Sequence, residues 1–436
     1  MSTPAAPAAP ASPLGGLLRA TLTLVAGGAL AQALPLLLGP WLTRLYTPGD
    51  FGHWHLFAAV AANLAVVACA RYEFALPLAR DEAEAQALRR LCLAILGAVS
   101  LASAFGALAW WRSGAPSWVL WLGPAVAVLG ALSLATLWAT RAQAFRALAI
   151  ARVLQYGGAA AGQGLAGWLG LGVLGLVLAP LAAAAAALAV LRLPLRAVAP
   201  TLAQAPADWR TVARRHRDFP LLNTPHAFMG ALQDTLALAL VTAWAGPVAA
   251  GFWGLSLRYL KAPATLVGGA VSQALYPKLA AAAQPGAPVT AAARQAVRRV
   301  MAVLALMALP LVAGLWALGP WAFELLFGHD WRGAGELARA LALYIGLHFV
   351  AAPLAVVTLA WNAQAWALKL ALVGQAAFVA ALAAGLALGG LAGAGWGVSL
   401  AMLGYFGYYF FSLATWPLGM PAVPGASTPT TDDPTP

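Results

Sequence analysis

The sequence predicts an all-α polytopic membrane protein, with about twelve transmembrane helices in two six-helix bundles related by a parallel pseudo-twofold repeat. Three observations carry that reading. Hydrophobic residues make up 62% of the chain and charged residues only 9%, and the mean hydropathy is +0.80. The apolar residues gather in runs of roughly 18 to 25, the length that crosses a hydrocarbon core ~30 Å thick. Ala and Leu dominate these runs, without the ten-residue alternation of a membrane barrel, so the spans are helices.

In chain order the expected spans lie near residues 17–42, 52–72, 91–111, 117–139, 153–171, 173–194, 220–244, 249–276, 300–319, 337–358, 366–387 and 391–413. Residues 1–13 are mostly Ala, Pro and Ser, with no Lys or Arg ahead of the first run and no cleavage pattern within it. A disordered tail and an uncleaved first helix are expected there. Residues 421–436 are too polar to pack and are expected to form a second disordered tail. Residues 14–200 would form an N-terminal lobe, 201–218 a basic linker, and 219–420 a C-terminal lobe.

A weak internal repeat supports the division. Gly52-His53-Trp54-His55-Leu56 opens the second span and Gly251-Phe252-Trp253-Gly254-Leu255 the eighth. Gln32 and Gln233 precede these by 20 and 18 residues, and Pro77 and Pro277 follow by 25 and 26. Six spans in each half make the repeat parallel, the geometry of two bundles that rock about a fixed site. A chance match in a Trp-rich chain is the alternative.

Orientation follows from the 25 Lys and Arg residues, of which eighteen fall on the side holding the N-terminus, including the linker cluster Arg210, Arg214, Arg215 and Arg217. Four fall opposite, namely Arg44, Arg112, Arg332 and Arg339, and three lie within spans. Both termini are therefore expected in the cytoplasm, with the chain in a cell inner membrane. The formal charge of +12 is mostly this topology signal. Basic residues scattered over loops argue against a nucleic-acid partner.

Arg258 and Lys261 sit one helical turn apart inside the apolar run 249–274. Charge at bilayer depth is costly, so its presence points to function. At ~1.5 Å per residue Arg258 lies about 12 Å and Lys261 about 17 Å from the outer end of that span, and Asp234 lies about 15 Å deep on the preceding one. A structural pair that merely neutralises Asp234 is one reading. One carboxylate cannot neutralise two cations, however, and the surplus favours an anionic group in a cationic central cavity, or a charge-coupled step. Arg71 falls near the cytoplasmic interface, where it could snorkel or turn inward to an inner vestibule. It is not a natural partner of Glu73, because positions two apart do not face each other on a helix.

Gln32, Asn63, Asn223 and His226 complete the candidate lining, each with interhelical hydrogen bonding as the plainer account. His226 could also carry a proton during coupling. Cys69 and Cys92 fall at span ends without metal-ligand spacing and read as small buried hydrophobes. No metal or cofactor is implied, and coupling to sodium or protons stays open. Residues 321–335 of the largest outer segment contain Glu324, His329 and Asp330 without a nucleophile or a paired-carboxylate motif. No phosphate-binding loop of the nucleotide-hydrolysing type occurs. The chain reads as a transporter rather than an enzyme.

Several stretches carry a family resemblance. Residues 42–52, read Leu42-Thr43-Arg44-Leu45-Tyr46-Thr47-Pro48-Gly49-Asp50-Phe51-Gly52, are followed by Arg71-Tyr72-Glu73 and Leu76-Pro77. A second group is Phe219-Pro220-Leu221-Leu222-Asn223-Thr224-Pro225, then Gly251, Leu257-Arg258, Pro263 and Ser272-Gln273, and a third is Phe327-Gly328 with Trp331, Ala334 and Gly335. In this order the chain resembles bacterial polysaccharide flippases of the multidrug/oligosaccharidyl-lipid/polysaccharide exporter superfamily. The resemblance implies two six-helix lobes and export of undecaprenyl-pyrophosphate-linked oligosaccharide for lipopolysaccharide O-antigen, capsule or exopolysaccharide. It implies as partners that lipid-linked glycan, membrane lipid, and the polymerase and glycosyltransferases of one pathway. It carries over Arg71, Glu73, Asn223 and Arg258 as motif positions, whereas Lys261 and Asp234 rest on depth alone. Arg258 and Lys261 are the expected grip on pyrophosphate or an acidic sugar, with Arg71 as an entry contact, Arg44 as an outer one and Asp234 as the group that tunes them. An ion-coupled drug or small-solute antiporter of the same fold is the alternative, and it would call for an acidic cavity.

Overall fold

The computed structural model describes residues 33–197, 208–282, 289–361 and 363–416. Gln32, most of the first expected span, residues 201–207 of the linker and both expected tails lie outside them. Among the described residues no strand occurs. The packing divides the chain into two units, Met1–Thr242 and Ala243–Pro436.

The first unit opens with α1 (Ala33–Leu42) and α2 (Pro48–Val67). Thr47 caps α2 reciprocally with Asp50: the Asp50 amide donates to Thr47 Oγ1 at 3.2 Å and the Thr47 amide donates to Asp50 Oδ2 at 3.0 Å, with Pro48 pre-set at the first helical position. The axis ends after Val67, and two consecutive left-handed residues, Ala70 (φ 48°) and Arg71 (φ 61°), turn the chain into a 3-10 helix, Tyr72–Leu78, bent 53° from α2. The helix α3 (Glu82–Arg112) starts at Asp81, whose Oδ1 accepts the Glu84 amide at 2.7 Å. It is followed by α4 (Leu122–Arg141), α5 (Phe145–Trp168) and α6 (Gly172–Ala197). Arg141 ties the 3-10 segment down, because its Nη1 donates to the carbonyls of Leu76 at 3.2 Å and Ala79 at 2.8 Å. Gln163 joins three elements: its carbonyl accepts from Tyr46 Oη at 2.6 Å and its Nε2 donates to the Leu176 carbonyl at 3.1 Å.

The short helix α7 (Trp209–Arg215) docks on α3 through a buried carboxylate. Glu84 Oε1 accepts from Arg215 Nη1 at 2.9 Å and lies 3.1 Å from His216 Nε2, while its Oε2 accepts the Arg80 amide at 2.9 Å. A five-residue π turn, Phe219–Asn223, then enters α8 (Thr224–Leu260). The start of α8 belongs to the first unit because Thr235 Oγ1 donates to the Ala59 carbonyl of α2 at 3.1 Å.

Gly246 breaks α8 with φ 85° and ψ 172°, inside the turn expected at residues 245–248. Its second half leads directly into α9 (Ala262–Ala282). One continuous span is expected over 249–276, and the structure instead places Lys261 in a one-residue interruption. Pro263 explains it, since a proline has no amide to donate to the Tyr259 carbonyl. The ladder resumes around it, with Lys261 N to Leu257 O at 3.0 Å and Thr265 N to Lys261 O at 3.1 Å.

The second unit continues with α10 (Ala291–Phe327), α11 (Arg332–Ala360) and α12 (Gln364–Ala414). Lipid tails give little drive for apolar helices to associate, so small residues and interhelical hydrogen bonds hold such contacts. Here Ser256 Oγ donates to the Ala334 carbonyl at 2.9 Å and Ser399 Oγ to the Ala340 carbonyl at 2.6 Å. A side chain at Gly335 would strike the Gly319 carbonyl, and one at Gly385 the Gly393 carbonyl. In its most apolar window α11 is 67% buried and α10 only 11%.

Seven helical stretches among the described residues are long and apolar enough to cross a membrane, or eight if α2 and its bent continuation form one span. Two of the seven are double. The 57 residues of Phe219–Leu275 contain the break at Gly246, and the 51 of α12 contain one at Gly389 and Gly390. A straight helix of 51 residues would run ~77 Å at ~1.5 Å per residue, more than twice the ~30 Å core. The breaks fall where the sequence separates its seventh from eighth and eleventh from twelfth spans.

Candidate functional site

In the first unit the polar candidates gather around the turn between α2 and the 3-10 helix and along α8. Arg71 is half-buried, with its Nε donating to Asn223 Oδ1 at 3.2 Å and its guanidinium carbon 4.5 Å from the Phe74 ring centroid. These contacts take one of the five guanidinium donors and one face. The terminal fork is left for a second ligand. Glu73 points elsewhere: it is 3% exposed and makes no ion pair with Arg71 among the described residues. The two share a motif and stay within electrostatic reach, yet each side chain takes its direct contacts elsewhere.

Asn223, His226 and Asp234 are exposed positions of one helical stripe, with Gly230 between them at spacings of 3, 4 and 4 residues. Asn63 is 4% exposed on α2 and its Nδ2 donates to Thr235 Oγ1 at 3.4 Å. The interhelical role is therefore realised for Asn63, although its Oδ1 is buried without a hydrogen-bond partner. Arg44 is exposed in the turn after α1, and Gln32 lies outside the described residues.

In the second unit Arg258 and Lys261 are both half-buried. Arg258 sits in the last turn of α8 and Lys261 in the interruption before α9, three residues on and on the same face. Sequence reasoning passed over His348 of α11. It lies within electrostatic reach of Lys261 and beside the rings of Tyr344 and Phe406, at 5.9 and 6.5 Å between centroids. A lone histidine in an apolar run gives little signal, and only the packing of α11 brings it forward.

The sequence also gave no sign that Cys69, Glu73 and Cys92 meet. Their ligand atoms lie within 4.8 Å of one another, and all three residues are buried. Elsewhere the charged clusters are plain surface or docking features. At the α10–α11 turn Glu324 takes His329 Nδ1 and Arg332 Nη1, each at 2.7 Å. No nucleophile joins that network among the described residues.

Residues 41–336 match a family described as polysaccharide biosynthesis protein. The fold is similar to that of the lipid II flippase MurJ, with a TM-score of 0.66 at 10% identity over 91% of this chain and 88% of that one. It is also similar to a multidrug resistance MATE family transporter of the MOP superfamily, with a TM-score of 0.64 at 15% identity over 90% of this chain and 98% of that one. A point mutant of the Vibrio cholerae MATE transporter VcmN is similar with a TM-score of 0.52, at 14% identity over 91% of this chain and 95% of that one. No curated relative matches the chain in sequence. At these identities the structural likeness is one of fold.

Proposed function

The chain belongs to the polysaccharide biosynthesis protein family, and from that premise we propose that it is a flippase for polyprenyl-diphosphate-linked oligosaccharides. It moves undecaprenyl-diphosphate-linked units from the cytoplasmic to the outer leaflet of the inner membrane by alternating access, with both termini in the cytoplasm. The product feeds O-antigen, capsule or exopolysaccharide assembly, and glycosyltransferases and a polymerase are its pathway partners.

The observation that carries this reading is the pair Arg258 and Lys261, two cations at helical spacing inside an apolar stretch of a multi-pass chain. A polyprenyl tail can remain in lipid while its head crosses, so the protein's task is to replace water around a diphosphate and its sugars. Arg grips phosphate oxygens with a planar fork and Lys adds a point charge. The fork of Arg71, oriented by Asn223 and Phe74, supplies an entry contact, and Arg44 an outer one. Gln32 offers an amide to sugar hydroxyls, whereas Asn63, buried against Thr235, holds the helices that line the path. Asp234, His226 and Glu73 are the groups that couple charge or ions to the cycle.

The fold likeness to MATE transporters supports a second reading, an ion-coupled antiporter for drugs. A cationic drug would meet like charge at Arg258 and Lys261, which favours the anionic glycan lipid. The test is transbilayer movement of a synthetic polyprenyl-diphosphate oligosaccharide in vesicles holding the purified protein, with sodium or proton gradients imposed. Arg258→Ala removes charge-assisted hydrogen bonds of about 1.5–3 kcal/mol, so movement should fall about 10- to 100-fold with insertion intact. Undiminished movement in that variant, or gradient-driven ethidium export with no glycan movement, would overturn the proposal.

A further inference from the structure

We propose that Cys69, Glu73 and Cys92 form a binding site for a thiophilic divalent cation of the zinc type. The inference stands on the first unit alone and does not depend on what the protein transports.

The three ligands come from three consecutive elements: Cys69 follows the end of α2, Glu73 lies in the 3-10 helix and Cys92 in α3. Their spacing fits no short metal motif, and the backbone makes the meeting. Left-handed Ala70 and Arg71 reverse the chain directly after Cys69, which brings Glu73 back beside it while Arg71 points to Asn223. All ligand atoms lie within 4.8 Å of one another. Tetrahedral zinc with bonds of about 2.3 Å to sulfur and about 2.0 Å to oxygen places two thiolates ~3.8 Å apart and sulfur and oxygen ~3.5 Å apart, so the sulfurs would close by at most about 1 Å and the carboxylate oxygen by at most about 1.3 Å.

Burial supplies an independent observation. Cys69, Glu73 and Cys92 are 1, 3 and 0% exposed. Within that dry cluster the Glu73 Oε2 atom has no hydrogen-bond partner. A buried carboxylate oxygen without one is costly, and protein interiors seldom keep it so. A cation held jointly with two thiolates satisfies it.

The ligand set selects the ion. Two soft sulfurs and one carboxylate suit zinc and its neighbours, whereas calcium and magnesium ask for oxygen throughout. Three protein ligands leave a fourth position open. Binding replaces two S–H bonds by two metal–sulfur bonds and releases two protons to solvent. The site then carries a net charge of about −1, two thiolates and a carboxylate against a divalent ion, with the Arg71 guanidinium two residues from Glu73. A bound ion would pin the end of α2 to α3 and stiffen the turn that presents Arg71.

These are the only two cysteines in the 436 residues, which makes the test direct. The full chain, purified in detergent, reduced and stripped with chelator, is titrated with cobalt(II). The expected result is a thiolate-to-cobalt charge-transfer band saturating at one equivalent and abolished by added zinc. Cys92→Ala should lose the band, and Glu73→Gln should weaken cobalt binding at least tenfold while keeping thiolate absorption. No band in the unmodified protein, or an unchanged band in Cys92→Ala, would overturn the proposal. The wild-type measurement decides it even if a variant fails to fold.

Discussion

Arg71 acts through its backbone as much as through its charge. A left-handed conformation costs a non-glycine residue about 1–2 kcal/mol, and Ala70 and Arg71 pay it side by side. Packing around Leu76 and the bonds from Arg141 hold the turn in place. Ala70→Gly should therefore relieve strain: thermal unfolding in detergent should show stabilisation of about 0.5–1 kcal/mol, once the greater freedom of glycine in the unfolded chain is set against the relief. A fall in stability would mean that the φ of Ala70 is not strained. The sequence singled out Arg71 and Asn223 as separate motif positions, yet their hydrogen bond joins residues 152 apart, and no local pattern encodes such a pairing. Cys69 and Cys92 are free and buried, as their sequence context predicts, but their meeting with Glu73 was illegible for the same reason. Spacing rules find ligands on one helix or one loop, and Cys69, Glu73 and Cys92 are assembled by a turn that no propensity predicts.

Among the elements, α8 was the most legible. An apolar run, a Gly-Pro pair and a second apolar run place a break near 245–248, and Gly246 supplies it. Its φ and ψ of 85° and 172° lie in a region essentially reserved for glycine. Gly246→Ala should accordingly cost about 1–3 kcal/mol, read as a lower unfolding temperature, with nothing near the new Cβ to clash. An unchanged unfolding temperature would show that the break relaxes to an ordinary conformation. The interruption at Lys261 was missed although Pro263 announced it, because a continuous hydropathy run masks a single lost amide. The docking of α7 on Glu84 was equally hidden: a seven-residue basic stretch reads as linker, and the buried acid that receives it lies 131 residues earlier.

For the whole molecule, hydropathy sufficed for the fold class and for most span positions, since each run must match one bilayer thickness. It did not distinguish which spans face lipid. The seventh to twelfth expected spans look alike in composition, yet α11 is largely enclosed and α10 largely not. Tryptophans mark bare and enclosed positions: Trp316 and Trp321 on α10 are each 60% exposed, whereas Trp253 on α8 and Trp331 in the 3-10 turn before α11 are each 1% exposed. The bare face of α10 should then be the one that meets the surrounding amphiphile. Phospholipids brominated in their acyl chains should quench part of the indole emission and spare the rest. Trp321→Phe should shrink the quenchable fraction and Trp331→Phe the protected one, and the opposite assignment would show that the bare face of α10 does not meet lipid. Fluorescence of this protein is then a gauge of its solvating lipid, and changes of bilayer thickness will be felt first by the helix that has least protein around it.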